Sequence, residues 1–459
     1  MFDVLVVGAG LSGLQAAQSA QQAGLSVAVI EARERTGGKI WSVPLASGRG
    51  FADLGGAWIN TTLQPRVGAY VKRFGLRTVQ QRLEGRAVMQ EGPGKRFEFP
   101  FGVTPDFTPE EKKSLEAVRD HIQAESLKPG SSPTVADDNI TLDQYVRNLG
   151  ALPNVVKMVN LWAEVMHGLE ATEYSAAWFI DYCRRNKGLL AIRADDASGG
   201  QHLRFADGAQ SLPSNIANLV GASNIHLSSA VASIVDHGDH IAVTTTSGKV
   251  FAGRKCILSI PSTMYKELNI QPSLPQPVQE VTNATVLGDY NKAIVCYDRP
   301  WWREEGFNGY FASYQGPVIL ARDTSVEESK HYSLTCFVNG KPGREWGKLR
   351  PHERRAVVLK QIAGIFKQGL DGEAYKPIEV FDQVWQHETF SRGALAPITA
   401  VGHMTKFAYV YGKPVGNLHF VGTEYSNEWR GYMEGALCSG EIGAAEVARA
   451  LKKDGRANL

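Results

Sequence analysis

The residues best suited to chemistry are a glycine string and an acid near the N-terminus. Gly8-Ala9-Gly10-Leu11-Ser12-Gly13 has GxGxxG spacing, follows the apolar run FDVLVV at 2–7, and opens a small-residue helical pattern from Leu11 to Ala23 that stops at Gly24. In a strand–turn–helix the first glycine permits the tight turn. The second lets the backbone touch a pyrophosphate, and the third lets the helix lie close to the sheet. The anion then sits on the helix N-terminus, where free N–H groups and the dipole favour it. Glu31 ends the next apolar run, LSVAVIEA at 25–32, where it would accept hydrogen bonds from a ribose diol. An acid there disfavours a 2′-phosphate, and so NADP. The string alone is weak, and a glycine-rich turn without a ligand is the bland alternative. Strand, turn, helix and acid in register make it a dinucleotide site.

Further turns select the kind of dinucleotide. EARERTGGK at 31–39 places Ala32, Arg33, Arg35, Gly37, Gly38 and Lys39 directly after the ribose acid, and DLGGAW at 53–58 adds Gly55, Gly56, Ala57 and Trp58. Glycine turns this close together suit an extended cofactor lying along the backbone, as FAD does. Near the other end, GTEYSNEWRGYMEGALCSG at 422–440 joins a glycine turn, with Gly422, Thr423 and Glu424, to a helix after Gly431, Tyr432 and Met433. A helix N-terminus there would suit the electron-rich end of a reduced flavin.

With these strings in order, and GGQ at 199–201, Lys292 and Trp385 between them, the sequence resembles the flavin-containing amine oxidases, the monoamine oxidases most closely. The resemblance implies an α/β fold: a glutathione-reductase-like FAD-binding Rossmann domain and an α+β substrate domain of mixed sheet flanked by helices. Residues 1–85, 200–275 and 412–459 are expected in the FAD domain, and 86–199 and 276–411 in the substrate domain. The activity implied is oxidation of an amine C–N bond, a primary amine favoured. The flavin takes a hydride equivalent, the imine is hydrolysed to aldehyde or ketone plus ammonia, and oxygen becomes hydrogen peroxide. The partners are thus a small amine and molecular oxygen. A C–C dehydrogenase or desaturase, or a non-catalytic flavin-binding scaffold, remains the alternative.

The resemblance also assigns roles. Lys292, in GDYNKAIVCY, matches a lysine that holds a water near the flavin and assists oxygen reduction; the alternative is a solvated lysine at a strand edge. Tyr432 matches one wall of an aromatic cage. Aligning FSRGAL at 390–395 puts Ala394 where mammalian monoamine oxidases carry a flavin-linked cysteine, and Leu395 at the second wall. FAD is therefore expected to be non-covalent and the cage half aromatic. Trp385 is expected beside the flavin and Val231 beside the adenosine half. Trp58, Gln201 and Phe337 are expected in the substrate cavity. Arg392 and Arg430 replace small residues, and would read carboxylates on the substrate if both face the cavity or its mouth. Ion pairs to Glu428 or Glu424 are the alternative. Lys39 keeps the charge of the arginine common in the GGR motif but loses its fork.

The elements that must position these groups fit a chain of 459 residues, long enough for two domains. Lysine and arginine number 49 against 47 acids, a balance that argues against a nucleic-acid partner. The five scattered cysteines include no CxxC pair, and no metal-ligand spacing occurs. No apolar run approaches the ~18 residues of a membrane helix, so no membrane anchor is expected and a cytoplasmic enzyme is. The C-terminal Ala457-Asn458-Leu459 loosely resembles a peroxisomal address. A homodimer stays open. Helices are expected over 64–76, 109–125, 210–221, 351–370 and about 431–452, with several over 141–187; strand-like pieces fill 77–104 and 225–260; and 128–138 reads as loop.

Overall fold

The computed structural model describes residues 1–103, 107–453 and 455; the expected targeting tripeptide lies outside them. Two sheets organise the chain. In the first, Phe2–Val7 runs parallel to Val27–Ile30 on one side and to Val250–Leu258 on the other. Alternate residues of this buried run serve opposite faces, as the two-residue period of a strand requires. Val4 and Val6 pack with Leu14, Leu437 and Val447 of the helices Leu11–Gln22 and Met433–Lys453, while Leu5 and Val7 pack with Ile241, Val243 and Phe251. Val250–Leu258 is shared between partners. Its first half runs antiparallel to Ile241–Thr245, and Cys256–Leu258 pairs in parallel with Leu418–Phe420. This fork brings the glycine turn at 422 beside the glycine string at 8–13.

The second sheet has the order Glu379–Gln383, Tyr290–Tyr297, Tyr332–Asn339, Leu320–Asp323, Phe307–Ser313, Arg86–Gly92, Lys95–Pro100. Met89, Ala312, Leu320 and Phe337 face the helices Pro109–Leu127, Pro153–His167 and Ala176–Arg185. The opposite residues, Val88, Phe311, Ala321 and Cys336, pack on Pro351–Ile365.

Two segments differ from the sequence reading. The strand-like pieces of 77–104 are divided: Thr78–Gln80 joins Leu203–Phe205, while the hairpin of Arg86–Gly92 and Lys95–Pro100 forms the edge of the second sheet. The expected loop at 128–138 ends in a short helix, Val135–Asp138, because Thr134 caps it by accepting from Asp137 N at 3.1 Å. Among the described residues no helix is long and apolar enough to cross a membrane.

Candidate active site

One cavity of about 1110 Å³ runs from the glycine string, along the first sheet, to the helix-covered face of the second. It exceeds the ~300–1,000 Å³ of an ordinary small-molecule pocket, leaving room for an extended cofactor and a substrate together. At its first end Gly8 turns with φ +100°, and any side chain on Gly13 would overlap the Gly8 carbonyl. Gly13 therefore lies behind the lining, seating the helix against the strand. A Cβ on Gly10 meets nothing within 4 Å, because that space is the cavity. Glu31 is only 4% exposed; its carboxylate accepts from Ala9 N at 2.6 Å and Arg33 N at 2.8 Å. Val231 lines the cavity nearby, since Ser229 N bonds to the Glu31 carbonyl at 2.8 Å.

The second helix closes the cradle. Gly440 packs directly on the Ser12 carbonyl, so Met433–Lys453 lies against Leu11–Gln22 and both N-terminal ends open on the same space. Lys39 lines it too; burial lowers its proton affinity while Glu424 opposes that loss. Two helix N-termini and a half-buried lysine suit an anion, and Glu31 suits a ribose. The residues thus fit FAD, which Gly8, Gly10, Leu11, Ser12, Glu31, Ala32, Arg33, Gly38, Lys39, Gly55, Gly56, Ala57, Val231, Gly422, Thr423, Glu424 and Met433 would hold. Because Gly10 has extended backbone with φ −68° and an open face, Gly10→Val is expected to fold with wild-type Tm as apoprotein. Its filled cavity should weaken flavin binding by about 10–100-fold, the equivalent of ~1–3 kcal/mol of overpacking. Fluorescence titration of the apoprotein with FAD checks both halves.

At the far end the second sheet presents Lys292, which is 4% exposed. Its Nζ donates to Asp53 O at 3.0 Å and to Gly55 O, and stands 5.3 Å from the Trp58 ring and 5.6 Å from the Phe337 ring. Burial pulls its pKa down to about 8, with Asp53 opposing. Neighbouring strands explain the cluster, since Lys292 is registered opposite Phe337. Trp385 is anchored through Nε1 to Leu54 O at 3.0 Å and lines the same wall.

Tyr432 stands across from this wall. Its hydroxyl accepts from Gln201 Nε2 at 3.1 Å, and burial pushes its pKa up to about 12. Thr423 Oγ1 clasps the backbone beneath it, accepting from Gly431 N at 2.7 Å and donating to Tyr432 O at 3.2 Å. Gly200 makes the approach possible, because a Cβ there would come within 2.9 Å of the Tyr432 ring. Gln201 Oε1 is buried and has no partner. Leu395 lies beside Gly431 and lines the cavity, so one wall near Tyr432 is aliphatic. Ala394 also lines it, all five cysteines are buried elsewhere, and neither cysteine nor histidine lines it among the described residues.

Of the two arginines singled out in the sequence, Arg430 departs from that reading and Arg392 reaches the mouth. Arg430 does not line the cavity; its Nη1 pairs with the buried Asp181 at 3.0 Å. Arg392 reaches the rim but is held bidentately by Glu267 at 2.6 and 3.2 Å. Neither of the anticipated acids takes part: Glu428 pairs with Arg66, and Glu424 accepts from Ser262 N. Sequence reasoning passed over Tyr182, Arg193, Asp195, Tyr290, Tyr310 and Arg322, which line the chamber. Arg322 had a signal, a charge inside the apolar strand run VILARD. Tyr182 had none, being one aromatic among many on its helix.

A dinucleotide cradle opening into an aromatic chamber with a buried lysine is the site of a flavoprotein oxidoreductase. The comparisons specify it. Residues 11–448 match the family described as flavin containing amine oxidoreductase. An amine oxidase [flavin-containing] of Danio rerio is 30% identical over 98% of this chain and 87% of its own. A probable flavin-containing monoamine oxidase A of Dictyostelium discoideum is 28% identical over 96% of both. A putrescine oxidase structure superposes with a TM-score of 0.89 at 25% identity, over 98% of this chain and 99% of its own. The chain belongs to the flavin-containing amine oxidase family. It is an FAD-dependent enzyme that oxidatively deaminates amines, with oxygen as the electron acceptor.

Proposed function

We propose that the enzyme oxidises a primary amine at the Tyr432 end of the cavity, with FAD held without a covalent bond and hydrogen peroxide released. The observation that carries this reading is the cavity joining Gly10 to Tyr432 and Lys292, with no cysteine in its lining among the described residues. Residues 1–85, 200–275 and 412–459 then serve the cofactor, and 86–199 and 276–411 the substrate.

Bound flavin supplies the acceptor for a hydride equivalent from the carbon bearing nitrogen. The protein's own residues orient and exclude water. Tyr432 offers its ring to the amine nitrogen and Leu395 limits its sideways freedom. The free Gln201 Oε1 accepts one N–H of the neutral amine, directing the remaining lone pair. Trp58 and Phe337 keep bulk water from the reacting carbon. Loss of hydride from carbon and a proton from nitrogen leaves an imine, and water then releases ammonia and an aldehyde. Lys292 has three N–H donors and commits two to Asp53 O and Gly55 O. The third is available to hold water or to stabilise negative charge developing on oxygen as two electrons and two protons make peroxide.

Acid precipitation of the purified protein is expected to release all yellow colour to the supernatant. Colour kept in the pellet would break the non-covalent assignment. An anaerobic panel of primary amines is expected to bleach the remaining sample; a spectrum that no amine changes would move the site to C–C oxidation.

A further inference from the structure

Among the described residues five arginines line the cavity: Arg33, Arg119, Arg193, Arg322 and Arg392. Four are taken, Arg33 by Glu388, Arg119 by Asp120, Arg322 by Asp195 and Arg392 by Glu267. The Arg193 guanidinium makes no hydrogen bond or ion pair among the described residues. Its Cζ sits over the Trp162 ring, 4.1 Å from the centroid. A cation over an aromatic face is held by the ring quadrupole, and the guanidinium N–H groups remain able to donate. Asp195 bonds to Arg322 and also acts on Arg193, so two guanidinium groups share one carboxylate. Arg322 in turn stands 5.8 Å from the Tyr310 ring and acts on Tyr290 and Tyr432. The series Tyr432, Arg322, Asp195, Arg193 thus leads outward from the reacting end. Arg193 is exposed to solvent, as are the remaining acids of the mouth, Glu116 and Asp196, and Asp196 is bound by Ser198.

We propose that the enzyme prefers amines carrying a carboxylate on the tail remote from the reacting nitrogen, and that Arg193 binds this carboxylate with Arg322 beside it. The inference rests on amine oxidation at Tyr432. A free guanidinium fork matches a carboxylate bidentately, and the second cation compensates the charge of the incoming group. A tail ending in a second ammonium would meet Arg193 and an Asp195 already engaged by Arg322. An uncharged tail would leave the Arg193 fork to water.

The test uses three length-matched series on the FAD-loaded enzyme: n-alkylamines, α,ω-diamines and ω-amino carboxylates, with oxygen uptake giving kcat/KM. The wild type is expected to favour the best carboxylate over its alkyl match by about tenfold or more, the scale of one charged hydrogen bond at ~1.5–3 kcal/mol. Arg193→Gln should shrink that ratio by about tenfold or more, chiefly through KM, and Arg193→Lys should restore part of it. Preference for the diamine or plain amine, or an equal loss on all three series in Arg193→Gln, would overturn the proposal. Calorimetric titration with hexanoate separates the two levels of inference. Hexanoate should bind the wild type and lose affinity in Arg193→Gln whether or not any amine is oxidised. Hexanoate binding without amine turnover would sink the amine reading alone, while equal hexanoate affinity in both proteins would sink the Arg193 assignment.

Discussion

Lys292→Met is expected to slow reoxidation of the reduced enzyme by oxygen about 10²–10³-fold, the typical cost of removing one preorganised charge-stabilising donor. Anaerobic reduction by amine should change far less, by about threefold or under on the same scale. The asymmetry follows from the geometry. The Lys292 ammonium is tethered by Asp53 O and Gly55 O and walled by Trp58 and Phe337. It is a fixed cation in a poorly hydrated place, and the reaction with oxygen is the half in which anionic charge appears. The sign of its pH dependence is set by burial, which lowers the pKa to about 8. Lys292 is charged below that value and loses its proton as pH rises through it. The oxygen reaction of the wild type should therefore fall above about pH 8, and that of Lys292→Met should stay flat there. Stopped-flow measurement of both half-reactions across pH decides the matter. Equal losses in the two halves, or a pH fall that survives the substitution, would sink the oxygen-activating role.

The cofactor end was legible in the sequence because its requirements are local and steric. A tight turn at Gly8, an open face at Gly10 and a helix pressed on a strand at Gly13 each exclude side chains, and such exclusions leave glycines at fixed spacing. Tyr432 and Gln201 were legible through the resemblance, although their hydrogen bond joins residues 231 apart. Charge partners were not legible. Arg392 meets Glu267 and Arg430 meets Asp181 across 125 and 249 residues respectively, and nothing in the local pattern distinguishes those acids from Glu424 or Glu428. The same blindness hid Arg193, whose cation is notable only for having no ion pair of its own among the described residues once every other cavity arginine is seen to have one. The split of 77–104 between two sheets was hidden for a similar reason. Period-two patterning marks a strand but not which edge it joins.

Asp181→Ala is expected to cost about 3–5 kcal/mol of stability, the usual cost of stranding a buried charge. Asp181 is 2% exposed and Arg430 8% exposed. Burial works to raise the Asp181 pKa, yet Arg430 and Arg185 outweigh it and the carboxyl titrates below its ordinary value. A depressed carboxylate contributes stability above its unfolded pKa of ~3.9 and loses it as pH falls through the folded value. The deficit of Asp181→Ala, read from urea unfolding of the holoenzyme, should therefore be full at neutral pH and shrink in acid. Arg184 and Arg185 are partly exposed and can turn to water, but Arg430 cannot. Replacing both ends, Asp181→Leu with Arg430→Met, should accordingly recover most of the loss. Position makes this pair a support for the reacting end as well. Asp181 precedes Tyr182, which lines the cavity and packs against Gly431, and Arg430 lies two residues before Tyr432 itself. Because Arg430 pairs with Asp181 and does not line the cavity, Arg430→Met alone should lower stability, with similar losses for amines with and without carboxylates. Intact stability with a KM defect confined to carboxylates would sink that structural role.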